Sequence, residues 1–365
     1  MSKKATSFHS EINQSTYRLN HALEAAQKQY TSKNPKSRNA FEIAKNSLPG
    51  ANTRSVLFYS PFPVTLKRAR GALIEDIDGH TYQDFLGEYT AGLYGHSHPK
   101  IMGAISDALK RGLTLGGPTS SEAQYAALIC KRFPAIERMR FCNSGTEANI
   151  LALSSARAFT KRPDILVIDG SYHGGVLSFA GESPLNIPYP THRIQFNDSE
   201  QAAKKIRAIG SKLAAVIIEP MIGAGGCIPG QSEFLMTIRE ETSKTGALLI
   251  FDEVITGWGR TGSAFASQEF GVTPDMITMA KATTNGVVPM GVVACKEEIY
   301  DAVMDSSPQG AIELFHGYTY SGIPISVAAG LAVQEIFEKE DIFKRAKEMS
   351  PYLQEGLHSL QDLKE

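Results

Sequence analysis

Two short apolar runs in this sequence end on residues able to do chemistry. Ala247-Leu-Leu-Ile-Phe251 closes on Asp252 and Glu253, and Asp275-Met-Ile-Thr-Met279 delivers Lys281, 29 positions after Asp252. Continuous apolar runs of this length suit strands buried on both faces of a parallel sheet. Ligands of open α/β sheets gather beyond the carboxyl ends of such strands, so the acid and the amine are expected to share a site. Asp252 and Val254, two positions apart, are expected on the same side of the strand.

A lysine amine condenses with an aldehyde, and a carboxylate keeps a pyridine nitrogen protonated. The pair therefore suits pyridoxal phosphate, provided the chain also supplies a phosphate cradle and a platform for the ring. Ser144-Gly145-Thr146, opening a long helical pattern that runs to about Phe159, can present amides and hydroxyls to an anion. The alternative there is an ordinary helix cap. Tyr172 and His173, in Ser171-Tyr-His-Gly-Gly175, fall just past the apolar run Ile165–Ile168. An aromatic at that place can stack on a planar heterocycle; the alternative is a loop tyrosine beside a structural histidine. Glu219 ends Val216-Ile-Ile-Glu-Pro220, where a carboxylate bonded to loop amides competes with a cofactor role. Arg54 stands in a stretch otherwise poor in charge, open to an ion pair or to a substrate carboxylate.

The elements that must position these residues follow in order. A polar N-terminal arm carries a charged helical stretch near Thr16 to Tyr30, and Asp78-Gly79 marks a β-hairpin. Helical spacing recurs over Pro99–Gly112, Ser121–Phe133, Ser199–Ser211 and Gln231–Thr245. Strands are expected at Ile165–Ile168, Ala214–Ile218, Leu248–Phe251, Met276–Met279 and Val292–Ala294. This alternation argues for an α/β fold with a mostly parallel central sheet flanked by helices.

Lysine and arginine together number 37 against 38 acids, which points away from nucleic acid and from an anionic membrane surface as main partners. No stretch approaches ~20 apolar residues and the N-terminus lacks a signal-peptide core, so a cytoplasmic protein is expected. Cys130, Cys142, Cys227 and Cys295 show neither a CxxC pair nor metal-ligand spacing, and no metal is implied.

In combination, NSGTEAN, SYHGG, IIEP, FDEV and MAK, in that order, resemble the class III (ω-type) aminotransferases of fold type I, over roughly residues 40–360. The resemblance implies that Lys281 holds pyridoxal phosphate as an aldimine and shuttles the proton. It implies that Asp252 bonds the pyridinium, that Tyr172 and Val254 flank the ring, and that Ser144, Gly145 and Thr146 bind the phosphate. His173 and Glu219 join the cofactor set. His316-Gly-Tyr-Thr-Tyr-Ser321 is similar to the segment that reaches a neighbouring subunit, where Thr319 would touch the partner's phosphate; a homodimer follows. GANTRSVLFYSPFP and GEYTAGLYGHSHP resemble the branch of β-amino-acid aminotransferases and glutamate-1-semialdehyde aminomutases, in which Arg54 would grip a substrate carboxylate. DEVITGWGRTG, AKATTNGVVPMG and HGYTYS are closer to ω-amino-acid:pyruvate aminotransferases.

The domain division implied is an arm and small-domain segment at 1–74, a large cofactor domain at 75–330, and the start of a shortened C-terminal small domain at 331–365. The expected activity is transfer of an amino group from a β- or ω-amino acid to a 2-oxo acid in two half-reactions. The alternatives are a semialdehyde aminomutase and a cofactor-binding, dimerising protein of weak catalysis.

Overall fold

The computed structural model describes residues 3–133, 135–305 and 316–363. Residues 1–85 with Gly95–Ser97 form one unit, and Leu86–Tyr94 with His98–Glu365 form another.

In the first unit the helix Lys3–Lys33 extends the expected helical stretch in both directions, and Pro35–Ala44 follows it. The strands β1 (Leu66–Arg70), β2 (Leu73–Asp76) and β3 (Thr81–Gln83) form an antiparallel sheet. The hairpin expected at Asp78-Gly79 joins β2 to β3. Its carboxylates hold the turn. Asp76 accepts from the Gly79 and His80 amides at 2.7 and 2.9 Å, while Asp78 accepts from the Lys36 and Ser37 amides at 2.8 and 3.0 Å. Arg54 precedes the short turn Ser55–Leu57 in this unit.

The second unit is built on a seven-stranded sheet. Its strands are β4 (Arg138–Cys142), β5 (Asp164–Ile168), β6 (Thr191–Ile194), β7 (Leu213–Ile218), β10 (Leu248–Asp252), β11 (Met276–Met279) and β12 (Gly291–Cys295); β8 (Met221–Ile222) and β9 (Ile228–Pro229) form a separate small hairpin. The order is β4-β12-β11-β10-β7-β5-β6. All neighbours from β11 to β6 are parallel, and β12 runs antiparallel to both β11 and β4. The five expected strands are present, and the sheet is mixed rather than wholly parallel.

Alternation along the strands supplies two apolar faces. Ile165, Val167, Ala215, Ile217, Leu248 and Ile250 pack with Ala148, Ala152, Leu153 and Ala156 of the helix Gly145–Thr160. Leu166, Ile168, Val216, Ile218, Leu249 and Phe251 pack instead with residues of the helices Ser199–Ile209 and Ser232–Thr245. Helices therefore cover both faces, which is why these strands read as continuous apolar runs.

Beyond Asp341, in the left-handed region at φ 45°, the helix Ile342–His358 follows Pro324–Glu340. It buries none of its residues and exposes Met349, Tyr352, Leu353 and Leu357. No helix among the described residues is long and apolar enough to cross a membrane.

Candidate active site

Strand order locates the site. From β5 the chain passes to β6 on one side, then returns to β7 on the other side of β5. The order of connection reverses between β5 and β7, and at such a switch point a crevice opens beyond the carboxyl ends of the strands. Tyr172 and His173 follow β5, and Glu219 follows β7. The Tyr172 amide donates to Glu219 Oε1 across this point at 3.0 Å. Glu219 Oε2 accepts from the Gly223 amide at 3.1 Å, so the loop-amide reading of this acid describes its contacts. Burial pushes the Glu219 carboxyl pKa up, eased by His173 and reinforced by the Asp252 charge.

Asp252 ends β10, the next strand across, and is 4% exposed. Its Oδ2 accepts from His173 Nδ1 and Asn149 Nδ2, both at 2.8 Å, and its Oδ1 accepts from the Val254 amide at 3.0 Å. Asn149 uses every group it has. Its Nδ2 also donates to the His173 carbonyl at 2.9 Å, and its Oδ1 accepts from Thr278 Oγ1 at 2.6 Å. Thr278 is the ladder partner of Asp252 on β11. The asparagine thus ties three consecutive parts of the site together, and the sequence reading assigned it no role.

Lys281 opens a short 3-10 turn, Lys281–Thr284, two residues past the end of β11, with φ at 46°. Its carbonyl accepts from the Gly286 amide at 2.9 Å. The parallel ladder Asp252↔Thr278 puts the acid and the amine beyond neighbouring strand ends, as the two apolar runs suggested.

Val254, expected on the same side of the strand as Asp252, falls outside that strand. The strand stops at Asp252, and Val254 lies in a turn held by the amide bond to Asp252 Oδ1. Its side chain reaches the helix start instead. A methyl group placed on Gly145 would lie 2.8 Å from Val254 Cγ2 and 3.5 Å from Ala280 Cβ.

Ser144 caps the helix Gly145–Thr160, its Oγ accepting from the Glu147 amide at 3.1 Å. The cap therefore occupies the acceptor side of that hydroxyl, and its proton remains a donor. Gly174, at φ +128°, lies so close to Thr146 that any side chain there would overlap it. This brings the SYHGG turn and the NSGT helix start into contact, with helix amides and hydroxyls facing the same sheet edge. Thr319 is exposed at the start of the turn Thr319–Gly322, beside Tyr318 and Tyr320, which are 63% and 62% exposed.

These residues fit pyridoxal phosphate on two structural observations. Asp252 is a buried carboxylate whose Oδ1 accepts, among the described residues, from the Val254 amide alone, with an acceptor position to spare for a pyridinium N–H. At the helix start Ser144–Thr146, Gly145 lets Val254 pack close and Gly174 lets the turn after β5 approach Thr146, which gathers helix amides and hydroxyls as a phosphate site requires.

A family model for class III aminotransferases matches residues 58–365. The chain belongs to the class III aminotransferases. It is 43% identical over 315 residues to a β-phenylalanine transaminase of Variovorax paradoxus, covering 86% of this chain and 71% of that protein. A glutamate-1-semialdehyde 2,1-aminomutase of Brevibacillus brevis is 36% identical over 340 residues, covering 88% of this chain and 78% of the other. Among solved structures, the Variovorax β-phenylalanine aminotransferase matches with a TM-score of 0.81 over 86% of this chain and 71% of that one. An ω-transaminase of Sphaerobacter thermophilus, 34% identical, matches at 0.75 over 82% and 72%. Fold type I, pyridoxal phosphate as cofactor and aminotransferase activity follow from this membership. Both branches seen in the sequence motifs recur among these relatives.

Proposed function

We propose that this class III aminotransferase takes a β-amino acid as donor and a 2-oxo acid as acceptor. The observation that carries the reading is the Asp252 cluster at the strand ends, with Lys281 beyond the neighbouring strand. Pyridoxal phosphate, when bound, supplies an aldehyde and an electron-withdrawing ring. Asp252, oriented by His173 and Asn149, would accept from the ring nitrogen. Lys281 supplies the amine that holds the cofactor and then carries a proton at Nζ. Tyr172 and Val254 would flank the ring, and Ser144, Gly145 and Thr146 would donate to the phosphate. Glu219 fixes the Tyr172 loop through its amide bonds. The sequence resemblance assigns the substrate carboxylate to Arg54, whose planar guanidinium can give two parallel hydrogen bonds. The similarity to β-phenylalanine transaminase, in sequence and in structure, supports a β-amino acid over other donors.

The proposal includes a cytoplasmic homodimer in which Thr319 of each subunit serves its neighbour's phosphate. The exposed tyrosines flanking Thr319 support a subunit-facing role for that turn. All residues assigned to the cofactor fall within 75–330. A semialdehyde aminomutase is the second reading, favoured by relatives such as the Brevibacillus aminomutase.

The test is a half-reaction followed by absorbance. Protein loaded with cofactor is mixed with a β-amino acid in the absence of any oxo acid, alongside Lys281→Ala. Loss of the visible cofactor band in the parent alone is expected, with recovery on adding a 2-oxo acid. A parent that binds cofactor but is unchanged by every β-amino acid, while converting glutamate-1-semialdehyde without an acceptor, would establish the aminomutase reading. A parent with no cofactor band would remove Lys281 from its assigned role.

A further inference from the structure

We propose that Cys142, Glu147 and His316 form a binding site for a zinc ion, separate from the cofactor chemistry. Cys142 ends β4, Glu147 lies in the first turn of the helix Gly145–Thr160, and His316 begins the HGYTYS segment. One ligand atom from each lies within 4.8 Å of the other two.

The arrangement within this cluster points to a missing centre. His316 Nε2 and Glu147 Oε1 are 3.2 Å apart, with the two side chains only 9% and 18% exposed. At that distance a hydrogen bond would be routine, yet both atoms lack a hydrogen-bond partner among the described residues, and so does His316 Nδ1. The ring nitrogen and the carboxylate oxygen are close without being aimed at each other. Two ligands of a tetrahedral ion at about 2.0–2.1 Å from the metal stand a little over 3 Å apart and point at the shared centre, not along the line between them. Buried polar atoms without partners are rare in folded proteins, and an ion seated between His316 Nε2 and Glu147 Oε1 would give both of these atoms a ligand.

Donor chemistry selects the ion. A thiol, an imidazole and a carboxylate suit Zn²⁺, with a water or another ligand in the fourth position. Thiolate and carboxylate together balance the charge of the ion. The step is a simple exchange. The Sγ–H bond of Cys142 breaks, its proton leaves to water, and the Sγ–metal bond forms with no change in oxidation state. Arg140 is the nearby opposing charge; its guanidinium donates to the His316 carbonyl at 2.7 Å, which also fixes the histidine backbone. Glu147 Oε2 is held by the Asn143 amide and Nδ2 at 2.9 and 3.1 Å, leaving Oε1 for the ion. An open cavity of about 680 Å³, lined by Arg140, His316 and Ser321, reaches the histidine from solvent.

The ion would clip the turn that carries Thr319 to the junction that carries Ser144–Thr146. Sequence spacing conceals the site because its three ligands come from a strand end, a helix start and a segment more than 160 positions further on.

Untagged, cofactor-loaded protein would be freed of metal and titrated with Co²⁺, and then with Zn²⁺ against a chromophoric chelator. One equivalent of Co²⁺ is expected to give the visible d–d bands of a four-coordinate ion with a thiolate charge-transfer band, both displaced by Zn²⁺. Cys142→Ala and His316→Asn are each expected to lose the bands and to bind Zn²⁺ at least about 10-fold more weakly. Cys227→Ser, at an exposed cysteine, keeps them. His316→Asn leaves the apolar core untouched, so it stays informative if Cys142→Ala fails to fold, with circular dichroism as the check. Absence of the bands in the parent, or their persistence in a folded His316→Asn variant, would overturn the site.

Discussion

Chemistry at this site depends on residues whose roles come through contacts rather than through type. Asp252, Lys281 and Tyr172 could be singled out from the sequence because an acid, an amine and an aromatic at strand ends suggest a function. Asn149 could not, since an asparagine inside a helix reads as neutral. Its importance comes from spending both amide hydrogens and its oxygen on Asp252, His173 and Thr278. Replacing it with leucine keeps the volume and leaves those three groups each one bond short in a buried setting. Each orphaned group costs about 1–3 kcal/mol. Asn149→Leu should therefore melt at a lower temperature and bind pyridoxal phosphate more weakly, as measured by thermal unfolding and by cofactor titration. Thr278→Val removes only one of these bonds and should cost less than Asn149→Leu on both scales. Equal affinity and equal melting in Asn149→Leu and the parent would show that the network does not position Asp252.

At the level of elements, the central strands were legible because burial on both faces removes polar residues from them. β5, β7, β10 and β11 are apolar throughout or nearly so, and their boundaries fell close to expectation. The edge strands were not legible. β4 reads Arg-Met-Arg-Phe-Cys and β6 reads Thr-His-Arg-Ile, each with polar residues left partly exposed. A lone edge strand of four or five such residues carries no periodicity that separates it from a loop. The direction of β12 was also hidden, because an apolar run is the same read either way. That direction matters for the cradle. Gly291 begins β12 opposite Cys142, and any Cβ there would collide with the Ser144 carbonyl. Gly291→Ala must push β12 away from the helix start, and overpacking of this kind costs about 1–3 kcal/mol. We expect lower thermal stability and weaker cofactor binding from Gly291→Ala. Gly175→Ala, where the same methyl meets open space, serves as the control. Parent-like behaviour of Gly291→Ala in both measurements would mean that the strand tolerates the shift and does not set the cradle.

Across the whole molecule, buried carboxylates pull the stability–pH curve in two directions. Burial alone would raise the Asp76 carboxyl, but bonds from Tyr82 and from the His80 side chain and backbone amide win and hold it at about 2. Glu241 is also held at about 2, mainly by Arg207 and then by Lys244, which donate to it at 2.6–2.9 Å. One of these acids lies in each unit. A group whose folded pKa is depressed favours folding above its unfolded pKa, near 4, and that gain disappears as the pH falls toward 2. Glu219 and Glu253 act with the opposite sign. Burial raises both, so between the ordinary carboxylate range and their raised values the folded chain holds the extra protons. Stability then increases as the pH falls from neutrality into that window. The two signs together predict a maximum on the mildly acidic side, with a steep loss below about pH 4. Melting temperatures of the cofactor-free chain across this range would show it. Glu241→Gln should flatten the acid limb, and Glu219→Gln should flatten the limb toward neutral pH. A curve that rises steadily from acid to neutral pH would mean that hydrogen bonds to Glu219 and Glu253 outweigh their burial, and both would then be ionised structural anchors.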